Sequence, residues 1–251
     1  YLFARYTLLM AERNALKIHY LQHIALETPG CILDWAAQRG HTLTRTAFFA
    51  QESLPDLQDF QWLIIMGGPM NIYEEQTYPW LKLEKAFIRA AVDAGKTVLG
   101  FCLGGQLAAD ALGGKVTRGA APEIGWQSIH WNETADKDPL FAMFPKDCTV
   151  FQWHYDTFSA LPPEATVLAS SPACAHQVFV WGGRVFGFQF HLENTEEMLR
   201  GYIEAGAAEM VSGPTIQTPR QVLAYPEHIA QTNAWIAAFL TALERRTAAS
   251  L

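Results

Sequence analysis

Two unbroken apolar runs stand out in the first half of the chain, Trp62-Leu63-Ile64-Ile65-Met66 and Thr97-Val98-Leu99-Gly100-Phe101. Neither alternates with polar residues, which is the pattern of parallel strands covered on both faces by helices. Residues 17–24 alternate loosely and read as a first strand, closed by Thr28-Pro29-Gly30. Residues 42–48, rich in Thr, read as a second. Between them, residues 31–39 bring Ile32, Leu33, Trp35 and Ala36 to the core side of a short amphipathic helix that Gly40 stops. Residues 79–94 read as a longer helix, with Pro79 in its first turn and Gly95 after its end. Residues 106–112 predict another, ended by Gly113-Gly114. The order strand, helix, strand, strand, helix, strand, helix predicts a mostly parallel, doubly wound α/β sheet.

After Gly114 the pattern changes to short strands between turn-rich loops: residues 115–118, 124–131, 149–153 and 166–170. Residues 177–181 and 185–190 flank Gly182-Gly183, a two-residue hairpin signal. This half is richer in antiparallel strand, either as an extension of the first sheet or as a small second one. From Thr195, which reads as an N-cap followed by Glu196 and Glu197, the chain is helical. Met198, Leu199, Tyr202 and Ile203 form one apolar stripe. Gly213-Pro214 and Pro219 interrupt, and residues 226–246 form a last amphipathic helix facing the core with Ile229, Trp235, Ile236, Phe239, Leu240 and Leu243. The expected organisation is an extension over residues 1–16, one α/β domain over 17–194, and a helical segment over 195–251 packed on that domain.

Composition narrows the class. The chain has 251 residues, half of them hydrophobic, enough for one large α/β domain. A formal net charge of −7, with 17% charged residues and no basic run, argues against nucleic acid as a partner. Cys31, Cys102, Cys148 and Cys174 lie far apart with no CxxC pair. That spacing suggests neither a disulfide framework nor a zinc ribbon, and a reducing cytoplasm is the simplest setting. No apolar run is long enough to span a bilayer, and residues 1–16 lack the order of a signal peptide.

The chemistry centres on Gly100-Phe101-Cys102-Leu103-Gly104-Gly105-Gln106. A strand, a sharp turn carrying a nucleophile-type residue and a helix follow one another, the logic of a nucleophile elbow with Cys in place of Ser. Small residues at 100 and 104 fit a turn with no room for side chains. The start of the helix offers free N–H groups and a positive dipole end, which favour thiolate. A buried core cysteine is the alternative, but the glycines and the partners below fit a reactive turn better. Gly67-Gly68-Pro69-Met70 turns sharply at the carboxyl end of a strand, where open α/β sheets bind ligands. Gly68 can aim its N–H into such a site. No phosphate-cradling glycine motif follows.

Gln189-Phe190-His191-Leu192-Glu193 supplies the remaining groups. On a continuing strand, His191 and Glu193 share a side, and the carboxylate can hold the imidazole. A metal reading needs more ligands than this pair. His154 and Asp156 repeat the spacing and would complete a set, yet thiol, imidazole and carboxylate account for the elbow as well. Cys102 is therefore read as nucleophile, His191 as base and later acid, and Glu193 as its orienter. The N–H groups of Leu103 and Gly68 are read as oxyanion donors. No metal or cofactor is expected.

Taken together and in this order, Gly67-Gly68-Pro69, the Cys102 motif and the His191 motif resemble the class I, triad-type glutamine amidotransferases. The resemblance covers about residues 17–193. It implies a flavodoxin-like α/β fold and hydrolysis of the glutamine side-chain amide to glutamate and ammonia. It also implies that Gln106 contacts the amino-acid end of the substrate, and that His154 and Tyr155 lie in a substrate loop. The family often has Pro between the His and the Glu. Leu192 stands there in this chain, as in free-standing GMP-synthase-like members. Because the recognised pieces account for nearly all of the chain, a separate synthetase is the expected partner. Two other readings are a stand-alone hydrolase of other γ-glutamyl amides and a non-catalytic regulatory or binding subunit.

Overall fold

The computed structural model describes residues 15–248. The extension expected over residues 1–16 therefore falls, up to residue 14, outside the described residues. So does the end of the chain after residue 248.

The parallel half forms as its sequence pattern demands. Strands β1 (Lys17–Gln22), β2 (Thr42–Ala47), β3 (Trp62–Ile65) and β4 (Thr97–Phe101) pair in parallel in the order β2-β1-β3-β4. Helices α1 (Cys31–Gln38), α2 (Trp80–Asp93) and α3 (Leu103–Ala111) connect or follow them. Alternate residues of β3 face opposite ways. Trp62 and Ile64 enter one core with α1, while Leu63 and Ile65 enter another with α2 and α3. Two buried faces explain why this strand has no polar position.

The second half extends the same sheet. Strand β5 (Lys115–Trp131) is followed by α4 (Glu133–Lys137), β6 (Asp147–Ala160), β7 (Thr166–Ser170), β8 (Val178–Trp181) and β9 (Val185–Phe188). Strand β9 pairs parallel with β4 and antiparallel with β8. The result is one mixed nine-stranded sheet, β2-β1-β3-β4-β9-β8-β7-β5-β6. The segments 115–118 and 124–131 are not separate strands. They belong to β5, whose pairing with β6 continues past a register irregularity between Arg118 and Glu123. Strand β6 is likewise longer than expected and carries residues 153–156 on a strand rather than in a loop.

Three further helices close the fold: α5 (Glu196–Gly206), α6 (Pro219–Val222) and α7 (Glu227–Ala248). Thr195 caps α5 by accepting from the Met198 N–H, as its position suggests. Ile236, Phe239, Leu240 and Leu243 of α7 complete the core beneath α1. Met198, Leu199 and Tyr202 of α5 pack with Ile124, Trp126 and Phe151 of β5 and β6.

Candidate active site

Strand β4 delivers Cys102 to the N-cap position of α3, with φ 49° and ψ −110°. A non-glycine residue at positive φ is uncommon and costs about 1–3 kcal/mol unless its surroundings fix it. Here they do. The Cys102 N–H donates to Phe188 O at 2.8 Å, and Cys102 O accepts from the Gln106 N–H at 3.0 Å. A Cβ on Gly104 would collide with Ile65 O, and one on Gly100 would collide with the Gly104 carbonyl. These glycines let α3 lie directly on β3 and β4. The helix starts one residue after Cys102, three residues earlier than the apolar pattern indicates.

The chain leaves the sheet after Phe188, so residues 189–193 do not continue β9. His191 is held by its N–H, which donates to Phe151 O of β6 at 2.9 Å. Glu193 still meets it, with Glu193 Oε1 2.7 Å from His191 Nδ1. The other oxygen, Oε2, accepts from the Leu192 N–H at 2.9 Å. A proline at 192 would have no N–H to give; Leu192 supplies a donor that fixes the carboxylate. Burial by itself would lower the His191 pKa. The charge of Glu193, together with hydrogen bonding to Cys102 and Glu193, outweighs burial and holds the imidazolium well above the ordinary histidine range. By contrast, burial pushes the Cys31 thiol up to about 12 and the Cys148 thiol up to about 11.

The Gly67-Gly68 turn depends on a residue the sequence pattern did not single out. His23, at the end of β1, reaches Gly67 O through Nδ1 at 2.7 Å, and its Nε2 lies 2.9 Å from Glu84 Oε1. Its ring lies near-parallel to those of Phe48 and Trp80, 5.8 and 5.5 Å away, and those two stack on each other at 4.6 Å. Burial lowers the His23 pKa, but the charge and hydrogen bond of Glu84 raise it more. In a trans peptide the carbonyl and the next N–H point in opposite directions. Holding Gly67 O toward His23 therefore turns the Gly68 N–H away from it. A Cβ on Gly68 would come 2.9 Å from Leu103 Cδ2, so the turn packs closely on the elbow.

Cys102, His191, Gly68, Leu103, Gln106, His154 and Tyr155 all line one cavity of about 560 Å³. Gln106 is anchored as well as exposed to it. Its Nε2 donates to Asp156 O at 2.9 Å and to Gln189 Oε1 at 3.2 Å. Gln189, whose role the motif did not reveal, directs its own Nε2 toward Cys102 Sγ at 3.8 Å. His154 is not a free ligand. Its Nε2 lies 3.1 Å from Glu123 Oε2 and its Nδ1 3.0 Å from Asp156 O. Gln177 also donates to Glu123, at 2.7 Å. The four-residue metal set from His154, Asp156, His191 and Glu193 does not assemble, and no metal-holding cluster of His, Cys, Asp and Glu occurs among the described residues. Tyr155 stacks on the Arg118 guanidinium, 4.3 Å from the ring centre.

Glu27 is the other residue that the sequence pattern missed. It follows β1 and lines the same cavity. His23 and Glu27 lie at the carboxyl end of β1, beside the Gly67 turn at the end of β3. The strand order reverses between β1 and β3, which is where α/β sheets bind ligands. That signal was present in the rule but needed the strand order. No helix of the described residues is long and apolar enough to cross a membrane.

Comparison with known proteins agrees with this geometry. The family model for glutamine amidotransferase class-I matches residues 32–204. The glutamine amidotransferase-like protein YfeJ of Salmonella typhimurium is 37% identical over 199 residues, covering 78% of this chain and 83% of that protein. The glutamine-hydrolyzing GMP synthase of Aeropyrum pernix is 31% identical over 184 residues, which are 67% of this chain and 33% of that enzyme. The crystal structure of a glutamine amido transferase from Methylobacillus flagellatus superposes with a TM-score of 0.85 at 30% identity, over 92% of this chain and 95% of that one. With a family match over most of its length and a shared fold at this identity, the chain belongs to the class-I glutamine amidotransferases.

Proposed function

We propose that this protein cleaves the side-chain amide of glutamine through a thioester on Cys102, giving glutamate and ammonia. The observation that carries the reading is the meeting, in one cavity, of the strained Cys102 elbow with His191, which buried Glu193 holds from behind. In this mechanism the Cys102 thiolate attacks the amide carbon while the proton rests on His191. The N–H groups of Gly68 and Leu103 receive the developing oxyanion. His191 then protonates the leaving nitrogen, and Glu193 keeps the imidazole oriented. Water enters, His191 takes its proton, and the thioester collapses to glutamate. Gln106, His154 and Tyr155 form the wall around the amino-acid end of the substrate.

The ammonia acceptor is proposed to be bound by a separate synthetase, by analogy with GMP synthase, of which this chain matches about a third. Residues 17–194 are proposed as the catalytic domain, with the helices after them packed on it. That α5 and α7 enter its clusters supports this division.

One feature favours a second reading. A cavity of about 560 Å³ lies in the range of roughly 300–1,000 Å³ that takes drug-sized ligands, and exceeds what one amino acid fills. A γ-glutamyl peptide would use that space and would need no synthetase. Product analysis by mass spectrometry on glutamine and on a panel of γ-glutamyl dipeptides tests both readings. Ammonia from glutamine, accelerated by a partner in cell extract, supports the first. Brisk peptide cleavage by the purified chain, unaffected by extract, supports the second and overturns the first.

A further inference from the structure

Buried carboxyl groups are normally paired, because an unpartnered one is costly. Glu27 departs from this. It is 9% exposed, and its carboxyl group makes no hydrogen bond among the described residues. It lines the cavity that holds Cys102 and His191. Its position there depends on Gly67. A Cβ on that glycine would collide with Glu27 Oε2 and would stand 3.0 Å from His191 Cε1. Glycine at 67 thus lets the carboxyl group come up to the imidazole edge. Cε1 is bonded to Nε2, the ring nitrogen that Glu193 leaves free for chemistry. Two carboxyl groups therefore divide the ring: Glu193 meets Nδ1, and Glu27 lies beside the edge that carries Nε2.

The two sides of the cavity differ. Gln106 is tied to Asp156 O of β6, and His154 and Tyr155 belong to the same strand, so the amino-acid end of the substrate lies toward β6. Glu27 comes from the opposite side, after β1 and against the Gly67 turn. A substrate whose amide carbon meets Cys102 and whose leaving nitrogen meets His191 Nε2 carries that nitrogen to the Glu27 side.

We infer that Glu27 recognises the scissile amide by accepting a hydrogen bond from its N–H, and so selects amides over esters. The inference rests on the amidohydrolase reading above. In the tetrahedral intermediate the nitrogen must turn its lone pair toward His191, which protonates it. An acceptor on the N–H fixes that rotation. His191 gives one proton, the carbon–nitrogen bond breaks with its electron pair going to nitrogen, and glutamine releases NH3. A γ-glutamyl peptide would release its neutral amine in the same way. Glu27 neither gives nor takes a proton. A carboxyl group has an oxygen that can accept whether it is charged or neutral. Burial, opposed by His191 and His23 and reinforced by Glu193, pushes the Glu27 pKa up to about 7, so both forms are present near neutrality. An ester places an oxygen without hydrogen at this point and leaves the carboxyl group buried and unpaired. Sites built to hydrogen-bond a substrate group reject the analogue that lacks it.

The test compares kcat/KM on L-glutamine and on L-glutamic acid γ-methyl ester, which forms the same thioester on Cys102 and differs only in its leaving group. Glu27→Leu fills much the same space without an acceptor, and is expected to lower the amide-to-ester ratio by at least about tenfold. Glu27→Gln, whose side-chain carbonyl can still accept, is expected to keep most of that ratio. Equal losses on both substrates, as from damage to the fold or to a contact with the shared γ-glutamyl group, overturn the inference. So does an unchanged rate on glutamine. If Glu27→Leu does not fold by circular dichroism, Glu27→Asp, which withdraws the carboxyl group by one methylene, carries the same expectation and the same refutation. A wild-type protein inactive on both substrates contradicts the amidohydrolase reading itself.

Discussion

The nucleophile and its base are held by different kinds of structure. Cys102 sits where one strand meets one helix, and the groups that shape its turn come from β3, β4, α3 and the end of β9. His191 and Glu193 lie outside any strand or helix, and remote parts of the chain fix them. Phe151 O of β6 accepts from the His191 N–H, and the Cys31 N–H at the start of α1 donates to Glu193 O. Asn233 of α7 donates to Leu192 O at 2.9 Å and to Asn194 O at 3.0 Å. The elbow is a product of local sequence, whereas the base is a product of the finished fold. Damage at the elbow should remove the chemistry outright. Damage at the remote anchors should misplace the base and leave the thiol in position.

The largest effect is expected at the elbow itself. Cys102→Ala should reduce turnover on glutamine by several orders of magnitude with the circular dichroism spectrum retained. Cys31→Ala, Cys148→Ala and Cys174→Ala should keep the activity. Burial raises the pKa of each of these three thiols and none lines the cavity. Steady-state rates across the four variants check this, and loss of activity in one of the other three would break the contrast.

Within the base segment, the effects should be graded. His191→Asn removes proton transfer and should cost about 10³-fold or more in kcat. Glu193→Gln leaves an imidazole that is present but less well held, and should cost less than His191→Asn. Reversal of that order, measured on folded variants, would show that the carboxylate does more than orient.

A smaller effect is expected furthest from the chemistry. Asn233→Ala leaves two backbone carbonyls without their donor, which should lower unfolding free energy by about 1–3 kcal/mol in urea titrations. Because the anchored segment carries His191 and Glu193, kcat should also fall by about tenfold. Alkylation of Cys102 should persist. A stability loss with unchanged kcat would mean that α7 supports the fold without placing the base.

The same division explains what the sequence revealed. The elbow is readable because a continuous apolar strand, two glycines and a helix start lie within ten residues, each with a local cause. The hairpin at Gly182-Gly183 is readable for the same reason, and both glycines adopt positive φ. Strand β5 is not readable as one element. Gly119 and Pro122 look like breakers, yet the ladder to β6 resumes beyond them after its irregularity. Placing His154 in a loop fails for the same cause, since β6 follows β5 along its length. The short helices α4 and α6 depend on the caps Asn132 and Thr218, which carry little signal in so few residues. His23 and Glu27 follow an unremarkable strand, and their importance depends on the Gly67 turn that β1–β3 pairing brings alongside.

Cys102 should be the one thiol of the four that a γ-glutamyl electrophile reaches. The most direct measurement is incubation with 6-diazo-5-oxo-L-norleucine followed by intact mass and peptide mapping, with and without excess glutamine. A single adduct is expected, on Cys102, that glutamine suppresses and that His191→Asn slows. An adduct on Cys31, Cys148 or Cys174, or labelling of Cys102 that glutamine does not suppress, would contradict it.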